Sequence, residues 1–292
     1  MKYAWVEQQR GHYPLDAMCD ALSVSPSGFF SWRRGGQGAK RLTDTQLLML
    51  IKALHAEIKG AYGWPRIWQE LKARGIPAGK ERIRKLMQTH GIRGRHKRRY
   101  KATTDSKHAF PVAPNLLNRQ FLPDRPDQAW VTDITYVPTQ EGWLYLAAVM
   151  DLHTRMIVGW SMDGCMTRDL VINALRMAWF RRKPKAGLLH HSDRGSQYAS
   201  HDYQAVLKEY GMTVSMSRKG NCWDNAAMES FFNSLKNERV HHQRYGSREE
   251  AKRDIFDYIE GFYNRRRRHS TLGYVSPAEY YAGWLAQQKL AA

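Results

Sequence analysis

The sequence predicts an α/β protein, in which an all-helical basic region precedes a mixed sheet with helices on its faces. Helical periodicity without strands fills the first hundred residues, which hold 20 Lys and Arg against 7 Asp and Glu. Beyond Trp130, three strand-like segments follow one another and then strands alternate with helices, the order typical of a mixed sheet. The net charge of +19, with no apolar run near the ~18 residues of a membrane span, favours nucleic acid as a partner and excludes a membrane.

Two helix-turn-helix motifs are predicted in the basic region, at about 14–34 and 43–91. In the first motif, Ser25 has the position of an N-cap ahead of a proline at the first helical position. In the second motif, Thr43 and Gln46 have the spacing of a capping box. Short helical pairs are common, so this pattern indicates a helix-turn-helix shape without implying DNA contact.

The last helix of the second helix-turn-helix motif has a basic face, and a strongly charged arm at 94–101 follows it. A recognition helix meets DNA phosphates with such a face, and the arm is too charged to pack in a core. For the arm, the alternative interpretation is a solvated linker. The candidate DNA-binding residues of this region are Lys80, Arg82, Arg84, Lys85, Arg95, Lys97, Arg98 and Arg99.

The rest of the chain divides into a polar linker at 101–124, a core domain at 125–240 and a helical extension at 241–292. The expected strands are WVTDITYV, WLYLAAVMDL, RMIVGWSM, GLLHHSD and TVSMS. Helices are expected after the N-caps Thr167, Ser200, Ser247 and Ser276, and after Asp224-Asn225.

Three acidic residues of the core domain are candidates for a site. Asp133 lies mid-strand among apolar residues, where an ionised carboxylate is costly unless a cation or hydrogen-bond donors meet it. Asp193 follows an apolar strand at its carboxyl end, and Glu229 lies in the first turns of a helix. Three carboxylates suit a phosphoryl-transfer site with two Mg²⁺ ions. Taken singly, each acid also fits a cap, a surface charge or a salt-bridge partner.

Five motifs carry a family resemblance over nearly the whole chain. They are YGWPRI (62–67), WVTDITY (130–136), HSDRGSQY (191–198), NCWDNAAMESFFNSLKNE (221–238) and HSTLGYVSPAEY (269–280). With them the sequence resembles the OrfB-type transposases of the insertion-sequence-three family, within the integrase-like DDE superfamily. The resemblance implies a ribonuclease H-like catalytic core that cleaves DNA and transfers strands, which integrates an insertion sequence. It carries catalysis and metal binding onto Asp133, Asp193 and Glu229, with 35 residues between the last two, and DNA contact onto Lys236.

The resemblance also implies a cofactor and partners. The expected cofactor is Mg²⁺, for which Mn²⁺ can substitute. Zinc is not expected. The expected partners are the element's terminal repeats, target DNA, further copies of the chain on DNA, and an upstream reading-frame product, because family members act as a fusion with it. No zipper-like heptad run is present in this sequence. Three distant cysteines fit a reducing compartment, here the bacterial cytoplasm and its nucleoid.

Two other functions are open at this point. A nuclease of the same fold would only hydrolyse DNA and would give no strand-transfer product. A DNA-binding regulator would use its acids structurally, and metal-dependent cleavage would exclude it.

Several further features have two interpretations each. The pairs His190-His191 and His241-His242 suit zinc or packing, although no cysteine pair stands at finger spacing. The run Arg265–Arg268 suits a DNA groove or a solvated helix end. Trp223 either stacks on a frayed base or packs in the core.

Overall fold

The computed structural model divides the chain into two compact units, residues 1–58 with 62–93, and residues 59–61 with 94–292. Among the described residues, no helix is long and apolar enough to cross a membrane. The structure describes residues 1–33, 42–95, 110–219 and 222–291.

The first unit is all-helical, as predicted. Its helices are α1 (Lys2–Gln9), α2 (Leu15–Ala21), α3 (Pro26–Arg33), α4 (Asp44–Glu57), α5 (Trp64–Ala73) and α6 (Lys80–Thr89). The predicted caps form: Ser25 Oγ accepts from the Gly28 N–H at 3.0 Å, and Thr43 and Gln46 make a reciprocal capping box. Both caps satisfy backbone donors that would otherwise lack partners in the first helical turn.

The second unit contains a five-stranded mixed sheet in the order β3-β2-β1-β4-β5. Its strands are β1 (Ala129–Thr139), β2 (Gly142–Asp151), β3 (Ile157–Asp163), β4 (Leu189–Ser192) and β5 (Thr213–Met216). The first three strands pair antiparallel, whereas β4 pairs parallel with both β1 and β5. This sheet confirms the predicted fold class.

Helices cover both faces of the sheet. The helices of this unit are α7 (Arg168–Arg182), α8 (Ser196–Ala199), α9 (His201–Glu209), α10 (Ala226–Glu238), α11 (Arg248–Phe256) and α12 (Pro277–Ala291). One core packs α7 and α9 against the sheet, and the other packs α10, α11 and the π-helical turn at Asp257–Tyr263. At Gly159 a Cβ would stand 2.2 Å from the Ala174 carbonyl oxygen, so glycine allows α7 to approach β3 closely.

The predicted helix starts of this unit are confirmed with two differences. Ser200, Ser247 and Ser276 each accept a backbone N–H of the following helix, whereas the Thr167 side chain makes no cap hydrogen bond. Asp224 does not open an α-helix, because its carboxylate binds arginines and a 3-10 turn precedes α10.

Candidate active site

The register of two parallel strands brings Asp133 and Asp193 to neighbouring positions. In that register Val131 pairs with His191, so that Asp133 and Asp193 each lie two residues further along. Asp133 is partly buried in β1, and its Oδ1 accepts from the Ile134 N–H at 2.8 Å. Asp193 lies just past the end of β4, where its Oδ1 accepts from the Gly195 N–H at 2.9 Å. Both carboxylates thus stand at the carboxyl end of β4, where ligand sites of such sheets gather.

Helix α10 lies along β1 and carries Glu229. At its start, Asn225 Nδ2 donates to the Thr132 carbonyl at 3.0 Å. Near its end, Lys236 Nζ lies 4.8 Å from the centroid of the Tyr136 ring. Glu229 is four residues after the first contact and seven before the second, so helical periodicity places it on the same side of α10.

The pKa of Asp133 depends on the other two acids. The pKa of Asp133 is raised well above its usual range, by burial first and then by the negative charges of Asp193 and Glu229. Lys236 opposes this shift, and its own pKa falls to about 8 because burial outweighs the attraction of Asp133. The site therefore carries more negative than positive charge and favours a cation.

The donors of this site fit a hard divalent cation. Its three acids offer carboxylate oxygens, the ligands that Mg²⁺ and Mn²⁺ prefer, and no thiolate belongs to the group. As the side chains stand, no three His, Cys, Asp or Glu residues of the described ranges form an assembled metal-binding group. Repulsion among the three carboxylates opposes such an arrangement until a cation neutralises them.

Comparison with known proteins identifies the family. A model of the integrase core domain matches residues 123–222, a second integrase core model matches 229–284, and a model of an HTH-like domain matches 42–100. The chain is 41% identical to the transposase InsF for insertion sequence IS3A of Escherichia coli K12, over 96% of this chain and 98% of InsF. This chain belongs to the IS3 family of transposases. It is 48% identical to the insertion element IS600 31 kDa protein of Shigella sonnei, over 90% of this chain and 97% of that protein.

Solved integrase cores show a distant likeness to this chain. The catalytic core domain of BIV integrase is 15% identical, with a TM-score of 0.41, over 56% of this chain and 99% of that one. The HTLV-2 integrase catalytic core domain in complex with magnesium is also 15% identical, with a TM-score of 0.41, over 53% and 97%. The family model over residues 123–222 identifies the ribonuclease H-like integrase core that the sequence predicts. The transposase is a DDE-type polynucleotidyl transferase that acts in DNA transposition. The similarity to transposases favours this function over that of a regulator or of a purely hydrolytic nuclease.

The basic helix α6 of the transposase already uses two of its four candidate DNA-binding residues within the chain. Arg82 pairs with Asp44 at 2.6 Å, and Arg84 pairs with Glu81 at 2.8 Å. Lys80 and Lys85 are exposed and are available to an external partner.

The predicted arm is described only at its start. The Arg95 guanidinium donates to the Glu238 carbonyl, and burial lowers the pKa of Arg95. The other predicted arm residues, Lys97, Arg98 and Arg99, lie outside the described residues.

Two interpretations of single residues are corrected. Trp223 does not pack in the core, because 68% of its surface is exposed beside the start of α10. Arg267, within the run Arg265–Arg268, is neither a groove residue nor a solvated one. It is 4% exposed, and its guanidinium makes a two-pronged pair with Glu238, at 2.6 Å for the shortest contact.

The adjacent histidines of β4 are core residues. His190 Nε2 shares a hydrogen bond of 3.0 Å with the Tyr203 hydroxyl. His191 contacts the hydroxyls of Ser215 and Ser217 at 2.8 and 3.1 Å. Burial lowers the pKa of His190 to about 3 and that of His191 to about 4, so both are neutral at neutral pH. Packing is confirmed as their role.

Sequence reasoning missed the network that holds the turn before α10. Asp224 is fully buried and accepts from Arg218, Arg119 and Asn115, at 2.7 to 3.0 Å. These bonds hold the pKa of Asp224 well below its usual range. Arg218 is only six residues away, but Arg119 and Asn115 are more than a hundred residues away, and a single sequence carries no signal for such distant partners. The pattern around Asp224 therefore predicted a helix start.

Proposed function

We propose that Asp133, Asp193 and Glu229 are the catalytic carboxylates of this transposase, and that they hold Mg²⁺ or, in its place, Mn²⁺. The observation that supports this most is the rise in the pKa of Asp133 caused by its two acidic neighbours. Three acids that repel one another without a cation acquire a favourable arrangement when divalent ions neutralise them. Bound ions of this kind activate an attacking hydroxyl and stabilise a leaving oxygen.

The chain's own residues would position the DNA for this chemistry. The carboxylates would hold the ions to which a phosphodiester binds, and in-line attack by water or by a DNA 3′-hydroxyl needs no covalent bond to the enzyme. Lys236 is buried against Tyr136 on the same side of α10 as Glu229, which suits a phosphate contact beside the reacting bond. The remaining candidate DNA contacts are those of α6 and the arm.

We infer that the partners are the element's terminal repeats and target DNA, with a second copy of the chain bound alongside. An upstream product of the same element would supply further end recognition. The support for DNA is the charge of the first hundred residues together with the HTH-like match over 42–100.

Amide variants test the triad. Asp133→Asn, Asp193→Asn and Glu229→Gln should each abolish Mg²⁺-dependent strand transfer while binding to the element's ends persists. Exposed acids provide matched controls: Asp202→Asn on α9 and Glu249→Gln on α11 should retain activity. Substantial strand transfer by one of the three amide variants would remove that residue from the site.

The assay also identifies the partners. Strand transfer is measured with the element's own ends, with and without the upstream product, and cleaved ends are scored separately from joined products. DNA ends that are cleaved but are not joined, either with or without the upstream product, would favour the hydrolytic nuclease.

A further inference from the structure

A pocket of about 200 Å³ lies on a second side of α10, and the transposition chemistry described above does not use it. Its buried wall contains Arg155, Phe231 and Tyr263, and its rim contains the exposed residues Ser230 and Thr271. The pocket therefore combines an apolar floor with one cation and hydroxyl groups.

Arg155 is a buried cation with few partners. It is 8% exposed, and its hydrogen bond is from Nη2 to the Phe121 carbonyl at 2.8 Å. Its Nε is buried without a hydrogen-bond partner among the described residues. Burial lowers its pKa, yet an arginine remains charged at neutral pH. A buried charge without an ion pair is costly, so that an anion in the pocket would lower the free energy.

One acid acts on Arg155 without forming an ion pair. Asp151 interacts with it electrostatically, but the described part of the chain contains no ion pair between them. The Asp151 oxygens instead accept from the Thr154 N–H and hydroxyl and from the Asp127 N–H, at 2.5 to 2.9 Å. Its carboxylate is therefore occupied by donors of Thr154 and Asp127.

Another buried arginine shows how this fold treats a purely structural cation. Arg267 is 4% exposed, and Glu238 accepts from both its Nε and its Nη2. Arg267 also donates to Ser234, which lines the pocket. One buried arginine thus has its own carboxylate, whereas Arg155 has a pocket instead.

The start of α10 adds a second attraction for an anion. Ala226 and Ala227, in the first turn of this 13-residue helix, line the pocket. The N-cap Asn225 makes no side-chain hydrogen bond to that turn. Backbone N–H groups and the helix dipole at this end both favour negative charge.

We propose that this pocket binds one phosphate-type oxyanion, with Arg155 as its cation and Ser230 and Thr271 at its entrance. The anion is either a phosphate of the DNA backbone or a free phosphate group. An anion bound in the pocket would contact a second side of α10, the helix that carries Glu229. The proposal does not depend on the catalytic roles of the three acids.

The probe is sulfate, measured on the full chain without divalent metal. Equilibrium dialysis with radiolabelled sulfate, against chloride at equal ionic strength, should give saturable binding of one ion per chain. Arg155→Gln should weaken this binding at least tenfold. Because Arg155 also holds the Phe121 carbonyl, a rim variant provides an independent test if that protein fails to fold.

The rim variant is Thr271→Glu, and its matched control is Ser270→Glu, which makes the same charge change one residue away from the pocket lining. Thr271→Glu should lose sulfate binding, and Ser270→Glu should retain it within about twofold. The proposal is overturned by absent or non-saturable sulfate binding in the wild type. Equal loss of sulfate binding in Thr271→Glu and in the control Ser270→Glu would also overturn it, because a general charge effect would then explain the result.

A competition experiment identifies the source of the anion. Displacement of the bound sulfate by duplex DNA of the element's end, in a catalytically inactive Glu229→Gln background, assigns the site to a backbone phosphate. Simultaneous binding of DNA and sulfate assigns it to a free phosphate group. Failure of the triad proposal would leave both results unchanged, because neither measurement involves metal or strand transfer.

Discussion

Asn225 Nδ2 donates to the Thr132 carbonyl at 3.0 Å and thereby ties the helix of Glu229 to the strand of Asp133. Asn225 is 5% exposed, and its Oδ1 has no hydrogen-bond partner among the residues that the structure describes. A buried acceptor without a partner is rare in proteins, and it is tolerated where function requires it. We therefore expect Asn225 to position Glu229 relative to Asp133.

The first prediction concerns this positioning. Asn225→Ala removes the bond to Thr132 and should reduce strand transfer at least tenfold, with a loss of about 1 kcal/mol in the free energy of unfolding. If the residue positions Glu229, Mn²⁺ affinity measured by electron paramagnetic resonance should fall as well. Asn173→Ala, at an exposed position of α7, is the matched control and should change neither quantity. A variant with weaker stability but wild-type Mn²⁺ affinity would mean that Asn225 is only structural.

The second prediction concerns the pH dependence of stability at Asp133. Its pKa in the folded chain is raised, so the unfolded chain loses this proton at a lower pH, near 3.8. Stability without metal therefore falls as the pH rises from that value through the folded pKa, and the penalty is complete above it. Asp133→Asn removes the penalty and should raise the free energy of unfolding at pH 7.

Urea unfolding with a chelator, from pH 4 to pH 8, measures this effect. The advantage of Asp133→Asn should vanish near pH 4, and added Mn²⁺ should stabilise the wild type and not the variant. Asp202→Asn, at an exposed acid, should show neither behaviour. Lower stability of Asp133→Asn at pH 7 without metal would contradict the raised pKa.

The sequence predicted this fold well where local signals decide it. Alternating strand residues, serine caps and the break before Trp130 determine elements through near neighbours, and Ser247 and Ser276 cap their helices as expected. Buried ion pairs such as Arg267–Glu238 depend on residues 29 apart that only the folded chain brings together. For the same reason, the 3-10 turn that holds Trp223 exposed could not be foreseen.

The third prediction concerns Trp223. Its exposure of 68% next to the helix that carries Glu229 favours stacking on an unpaired base, which contributes about 1–3 kcal/mol per base. Trp223→Ala should therefore weaken binding to frayed or mismatched element ends about tenfold, with little change for fully paired duplex or for stability. Phe180→Ala is the matched control, because Phe180 is an equally exposed aromatic residue on α7. Equal weakening for frayed and paired ends would exclude base stacking.

The last prediction concerns the basic residues of α6 and the arm. Each lost phosphate contact lowers the slope of log affinity against log salt by about 0.9. Lys80→Gln with Lys85→Gln should thus lower the slope by about 1.8 without affecting stability, because both side chains are exposed. Arg82→Gln should instead destabilise the first unit, since Arg82 binds Asp44 and the Leu42 carbonyl.

The arm differs from the helix in what it can contribute. Because Arg95 already contacts the Glu238 carbonyl, neutralising Arg95, Lys97, Arg98 and Arg99 together should remove about three phosphate contacts rather than four. Loss of the arm should weaken all DNA sequences alike, whereas loss of the α6 lysines should weaken the element's own ends more if α6 reads bases. Salt titrations on a cognate end and on random duplex measure both slopes. An unchanged slope in the arm variant would make the arm a solvated linker, and the phosphate contacts would then have to come from residues beyond the arm, beginning with Lys236.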